Sequence, residues 1–115
     1  MKILWVSRHN MTNEQLSDLH RIYGNFELLT LDKTITNVQE ILKYSAEVYA
    51  VVLPTNLLIE LKNSTNAEVI QPVSKRVATK NKILNPATNT YEQEYTYKHQ
   101  CWEKILRADV KLQKL

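Results

Sequence analysis

The sequence predicts an α/β fold built on a parallel sheet that is covered on both faces. Two observations predict it. Short, near-continuously apolar runs recur through the first two thirds of the chain, and segments with helical spacing and capping residues stand between them. Strands buried on both faces are apolar throughout rather than alternating, and parallel neighbours need a crossover helix to join them. Residues 1–74 thus read as a small Rossmann-like core, and residues 75–115 as a basic loop and a C-terminal β-hairpin extension of the same single domain, 1–115.

The first strand is Lys2 to Ser7 (KILWVS), an apolar, β-branched and aromatic run that stops at a polar cluster. Thr12-Asn13-Glu14-Gln15 has the capping-box pattern, so a helix follows, with Leu16, Leu19 and Tyr23 on one face and the only glycine, Gly24, placed as a left-handed cap. Phe26 to Leu31 (FELLTL) is the second strand. Thr36-Asn37-Val38-Gln39 repeats the capping-box pattern ahead of Val38, Ile41 and Leu42. Val48 to Leu53 (VYAVVL) is the third strand, and Pro54-Thr55 ends it and opens a helix carrying Leu57, Leu58 and Leu61. Glu68 to Val73 is a weaker fourth strand. Residues 75–90 are basic, polar and turn-rich, with a turn at Asn85 to Asn89. Tyr91, Gln93, Tyr95 and Tyr97 then share one side of a strand-period stretch, and Leu106, Ala108, Val110 and Leu112 alternate with Arg107, Asp109, Lys111 and Gln113 as in a half-buried strand. A helix with Trp102, Ile105, Leu112 and Leu115 inward is the alternative for the C-terminus.

Composition narrows the chemistry. One glycine in 115 residues excludes both the G-x-G-x-x-G dinucleotide fingerprint and the G-x-x-x-x-G-K-[ST] phosphate loop. The lone Cys101 forms neither an intrachain disulfide nor a thiolate-rich zinc site, and with no cationic neighbour or paired histidine it reads as structural. His9, His20 and His99 lie far apart without an H-x-x-x-H pair, so no metal and no cofactor are expected, and His20 beside Leu19 reads as a partly buried packing residue. There is neither a signal-peptide pattern nor an apolar run of membrane-spanning length; a soluble, reduced, cytoplasmic protein is expected. Residues 1–60 carry five basic and seven acidic side chains and residues 61–115 carry ten and five, an asymmetry that fits either an anionic partner near the C-terminal half or a solvated basic face.

In an open parallel sheet, ligands bind outside the carboxyl ends of the strands. There the sequence places Ser7, Arg8, His9 and Asn10 after the first strand and Lys33 after the second. Thr55 and Asn56 follow the third, and Ser74, Lys75 and Arg76 the fourth. Thr12 caps the first helix at this edge, where unpaired N–H groups favour anions. Arginine forks hydrogen bonds to phosphate and histidine transfers protons near neutral pH, so phosphodiester chemistry without a metal is the reaction class that fits. The plainer alternative is that Ser7 caps the strand end, Arg8 is surface and His9 bonds to a neighbouring loop. For Tyr91, Tyr95, Tyr97 and Trp102, packing against a partner sheet or subunit is favoured over stacking on bases.

Val6 to Thr12 (VSRHNMT) and Val51 to Leu57 (VVLPTNL), in a chain of this size, resemble the small Rossmann-like, CARF-related ring nucleases associated with type III CRISPR systems. The likeness covers the first 60 to 75 residues. It implies a homodimer that binds a cyclic oligoadenylate second messenger, such as cyclic tetra-adenylate, in a two-fold cleft and opens the ring, ending the antiviral signal. By that resemblance Arg8 would stabilise charge on the phosphoryl oxygens and His9 would transfer or orient a proton. Ser7, Thr55 and Asn56 would contact phosphate or ribose, while Lys75 and Arg76 would close over the ligand from a flexible segment; Asn10, Thr12, Lys33 and Ser74 complete the ligand-binding set. No membrane and no long nucleic acid are expected among its partners. A non-catalytic sensor or sponge for the same nucleotide and a plain protein-interaction module are the alternatives.

Overall fold

A computed structural model describes residues 1–107 and 111–115. It is an α/β protein. The strands β1 (Lys2–Val6), β2 (Glu27–Leu31), β3 (Val48–Val51), β4 (Glu68–Asn85), β5 (Thr90–Arg107) and β6 (Lys111–Lys114) form one mixed sheet in the order β2-β1-β3-β4-β5-β6. β2, β1, β3 and the start of β4 run parallel, and β5 and β6 add on as antiparallel strands. Among the described residues, no helix is long and apolar enough to cross a membrane.

Strand alternation divides the apolar runs between two faces. Leu4, Val6, Tyr49, Val51 and Val69 point to the face covered by α2 (Gln39–Leu42) and α3 (Thr55–Ser64), where they meet Ile41, Leu57, Leu58 and Leu61. Ile3, Trp5, Val48, Ala50 and Ile70 point to the other face, where α1 (Asn13–Tyr23) contributes Leu19 and β5 contributes Trp102. The continuous apolar character of β1 and β3 therefore follows from burial on both sides.

The first capping box forms as its pattern predicts. The Thr12 hydroxyl accepts from the Gln15 amide at 3.1 Å, and the Gln15 side chain accepts from the Thr12 amide at 2.9 Å. Gly24 closes α1 with φ +74°, donating its amide to the His20 carbonyl. A Thr12→Ala variant is expected to lose about 1 kcal/mol of unfolding free energy, read as a lower urea midpoint. An unchanged midpoint would mean that the end of α1 frays without cost.

Three sequence expectations are corrected. The second capping box does not form around Thr36: the Asn37 side chain accepts from the Gln39 amide at 2.8 Å, the Glu40 carboxylate accepts from the Thr36 and Asn37 amides, and the single helical turn that follows has Val38 at its N-cap without a side-chain cap bond. Residues 75–85 are not a loop; β4 continues through them, paired with β5. At the C-terminus the hairpin extension forms and the helical alternative does not: β5 runs to Arg107 and Lys111–Lys114 pair back on it as β6. Ala108, Asp109 and Val110 lie outside the described residues. His20 is exposed rather than partly buried, its ring stacked on Phe26 at 4.4 Å and its Nδ1 bonded to the Gly24 carbonyl at 2.8 Å.

Beyond Ile70, β4 leaves β3 and is paired only on its β5 side, so Pro72, with no amide to donate, is tolerated there. From this point β4 and β5 project as a two-stranded ribbon. The radius of gyration, 16.8 Å, exceeds the roughly 13 Å of a compact chain of this length, and the long axis measures 52 Å.

Candidate functional site

At the carboxyl edge of β1, β3 and the core part of β4, on the α1 side, a pocket of about 380 Å³ opens. Its floor is aromatic and aliphatic, from Trp5 and Val51 to Leu53. Its rim is polar, with Ser7, His9, Asn10, Thr12 and Gln15 on one side and Gln71 and Ser74 on the other.

The turn after β1 is fixed by its own short side chain. Ser7 continues the alternation that turns Trp5 toward α1, and its hydroxyl oxygen accepts the His9 amide at 3.1 Å. The Trp5 indole donates to the His9 carbonyl at 2.8 Å. Both bonds use the His9 main chain, so the imidazole is exposed and unoccupied by the turn. The capping residues Thr12 and Gln15 at the start of α1 complete this side of the rim.

The predicted residues divide. Ser7, His9, Asn10, Thr12 and Ser74 are brought together around the pocket; Arg8, Lys33, Thr55, Asn56, Lys75 and Arg76 do not line it. Arg8 is exposed and stands outside the pocket lining. Lys33 is held by Glu40, Nζ to Oε1 2.7 Å, which together with the Thr36 and Asn37 amides pulls the Glu40 carboxyl down to about 2. Thr55 and Asn56 start α3, which covers the opposite face. Lys75 and Arg76 belong to the ribbon strand β4 rather than to a flexible segment, and the Arg76 guanidinium lies 3.6 Å from the centre of the Tyr95 ring. The pocket lining thus carries no lysine or arginine. Trp5, Gln15 and Gln71 were not read as site residues, because apolar and amide side chains inside strands and helices give no sequence signal of lining a cleft.

His99 was also missed. Its Nε2 lies 2.8 Å from Asp18 Oδ2, and Arg21 holds the other Asp18 oxygen at 2.7 Å. The His99 side chain is only 6% exposed, and its Nδ1 has no hydrogen-bond partner among the described residues, which leaves it a bare acceptor when the proton sits on Nε2. Burial would raise the Asp18 carboxyl, but the hydrogen bonds from His99 and Arg21 outweigh it and hold the group below its ordinary value of 3.8. A carboxyl lowered on folding contributes stability above its unfolded value and loses it as the pH falls. Asp18→Asn is therefore expected to lower the urea midpoint at pH 7, with the difference from the parent protein shrinking as the pH falls through about 4 and further below it. A pH-independent difference would contradict this.

Cys101 is buried and free, and burial first and Glu103 second push its thiol up, which fits a structural role. Among the described residues, no three His, Cys, Asp or Glu side chains gather into a metal-holding group. Comparison of the chain with family models, with curated proteins and with solved structures returns no match.

Proposed function

We propose that this chain, a Rossmann-like protein, binds a cyclic oligoadenylate at the carboxyl-edge pocket and opens the ring, switching off a type III CRISPR signal. The observation that carries the reading is the convergence of Ser7, His9, Asn10, Thr12 and Ser74 on one pocket. A pocket of about 380 Å³ accommodates one nucleotide unit rather than a whole ring, so a second copy of the chain supplies the matching half, as a symmetric ligand allows. The aromatic and aliphatic floor suits a base, and the polar rim suits ribose and phosphate.

In the reaction, a ribose 2′-hydroxyl gives up its proton, with the exposed His9 imidazole the group placed to take it. The 2′ oxygen bonds to the adjacent phosphorus, the bond from phosphorus to the 5′ oxygen breaks, and that oxygen takes a proton. The product ends are a 2′,3′-cyclic phosphate and a 5′-hydroxyl. Fixing the attacking oxygen in line with the leaving one is the main service of the rigid turn. Arg8 follows Ser7 in the same turn but does not line the pocket, so it serves the phosphoryl charge only where the bound ring extends past the rim.

The cation-free lining favours a second reading, in which the ring is bound and sequestered intact. One experiment separates them. The protein is incubated in excess with cyclic tetra-adenylate and cyclic hexa-adenylate in EDTA, and the products are resolved by chromatography. Linear products support cleavage; intact rings that are nevertheless bound by calorimetry support sequestration; no binding removes both.

A further inference from the structure

We propose that the projecting β4–β5 ribbon is a platform for short single-stranded nucleic acid, separate from the carboxyl-edge pocket and contrary to the expectation that no long nucleic acid binds. Directly opposed residues of an antiparallel pair share a face. Arg76 opposes Tyr97, Ala78 opposes Tyr95, Lys82 opposes Gln93 and Leu84 opposes Tyr91. The contact of His99 with Asp18 on α1 turns this face to the α1 side of the sheet. Three tyrosines therefore stand in a row on one face, and they are not packed away: Tyr91 is 71%, Tyr95 46% and Tyr97 73% exposed.

Charge decides what covers them. Between Ser74 and His99 this face carries Arg76 and Lys82 and no carboxylate. Both ribbon carboxylates, Glu92 and Glu94, project from the reverse face, where Asn85 Nδ2 donates to Glu92 at 2.8 Å and the Thr79 hydroxyl donates to Glu94 at 2.9 Å. A second copy laid face to face across a two-fold axis would oppose cation with cation. A polyanion with flat rings meets both features. Tyr95 and Tyr97 are about 7 Å apart along the strand, a spacing at which successive unpaired bases reach successive rings, and stacking of this kind does not depend on base identity. The guanidinium of Arg76, 3.6 Å from the Tyr95 ring centre, holds that ring in place and keeps its outer donors for phosphate. In a duplex the base faces are buried against each other, so the platform discriminates against it.

The test is fluorescence anisotropy of a fluorescein-labelled, mixed-sequence single-stranded RNA of about 12 nucleotides with the full chain. Tyr95→Ala and Tyr97→Ala are each expected to weaken binding about 5- to 100-fold, whereas Tyr97→Phe, which keeps the ring, should bind as the parent does. Arg76→Gln should lower the slope of log affinity against log salt by about one. All these side chains are on the surface, so folding, checked by circular dichroism, should be unchanged. Absence of binding at low salt overturns the proposal. So does equal affinity for the duplex of the same sequence, which would reduce the effect to charge, or displacement by a poly-glutamate peptide at concentrations where duplex DNA does not compete. Sedimentation showing a dimer abolished by Tyr97→Ala would assign the face to a second copy instead.

Discussion

Replacing Trp102 with alanine is expected to lower the unfolding free energy by about 3–5 kcal/mol, the largest stability effect of any single change considered. The indole is fully buried; it meets Trp5 edge to face at 5.9 Å and donates Nε1 to the Gln15 carbonyl at 3.1 Å. One side chain thereby joins α1, β1 and the base of the ribbon, and its removal leaves a void that none of these elements can close alone. Domains of this kind are stable by about 5–15 kcal/mol, so the alanine variant is expected to populate unfolded chain at ordinary temperature. Trp102→Phe keeps most of the ring, loses the indole hydrogen bond, and should cost about 1–3 kcal/mol. Urea denaturation followed by circular dichroism gives both values. A loss below about 1 kcal/mol for the alanine variant would contradict the packing described.

On the proposed function, His9→Ala is expected to slow opening of a cyclic oligoadenylate by about 10²–10⁴-fold while leaving ring binding within a few-fold of the parent. The two effects separate because the substitution removes the imidazole alone. The turn is held by the Ser7 hydroxyl on the residue 9 amide and by the Trp5 indole on its carbonyl, and alanine supplies both main-chain groups. Single-turnover rates in EDTA, set beside calorimetric binding to the unreacted ring, provide the measurement. An unchanged rate would move proton transfer to another group, and a parallel loss of rate and binding would make His9 a binding residue.

Sequence patterns were most informative where one local rule acts alone. Thr12 and Gln15 cap α1 because both bonds are made within four residues, and Gly24 takes a positive φ at the position where the helix must end. The same reading failed at Thr36 because Glu40, four residues on, competes for the amides that Gln39 was expected to serve. β4 beyond Val73 was read as a loop for a different reason. Most of residues 74–84 are exposed, on both faces of the ribbon, so no apolar period marks them, and their strand state comes from pairing with residues 90–99 far along the chain.

The candidate site was legible to the same extent. Ser7, His9, Asn10 and Thr12 follow one strand and stay together wherever that strand goes; Ser74 joins them because β4 lies beside β3. Lys33, Lys75 and Arg76 were assembled with them only on charge and on position after a strand. Position in the chain does not say which face a side chain takes or which carboxylate holds it. Glu40 holds Lys33, and the ribbon carries Lys75 and Arg76 away from the pocket.

The α/β class, the first three strands, the capped first helix and the polar cluster that ends β1 are legible in the residues alone, because burial on two faces and short-range hydrogen bonds leave a local trace. The length of the ribbon, the pairing of His99 with Asp18 and the absence of cations from the pocket lining emerge only from the folded chain. Each of these depends on register between residues distant in sequence, and a partner supplied from 81 residues away leaves no period or motif at either end.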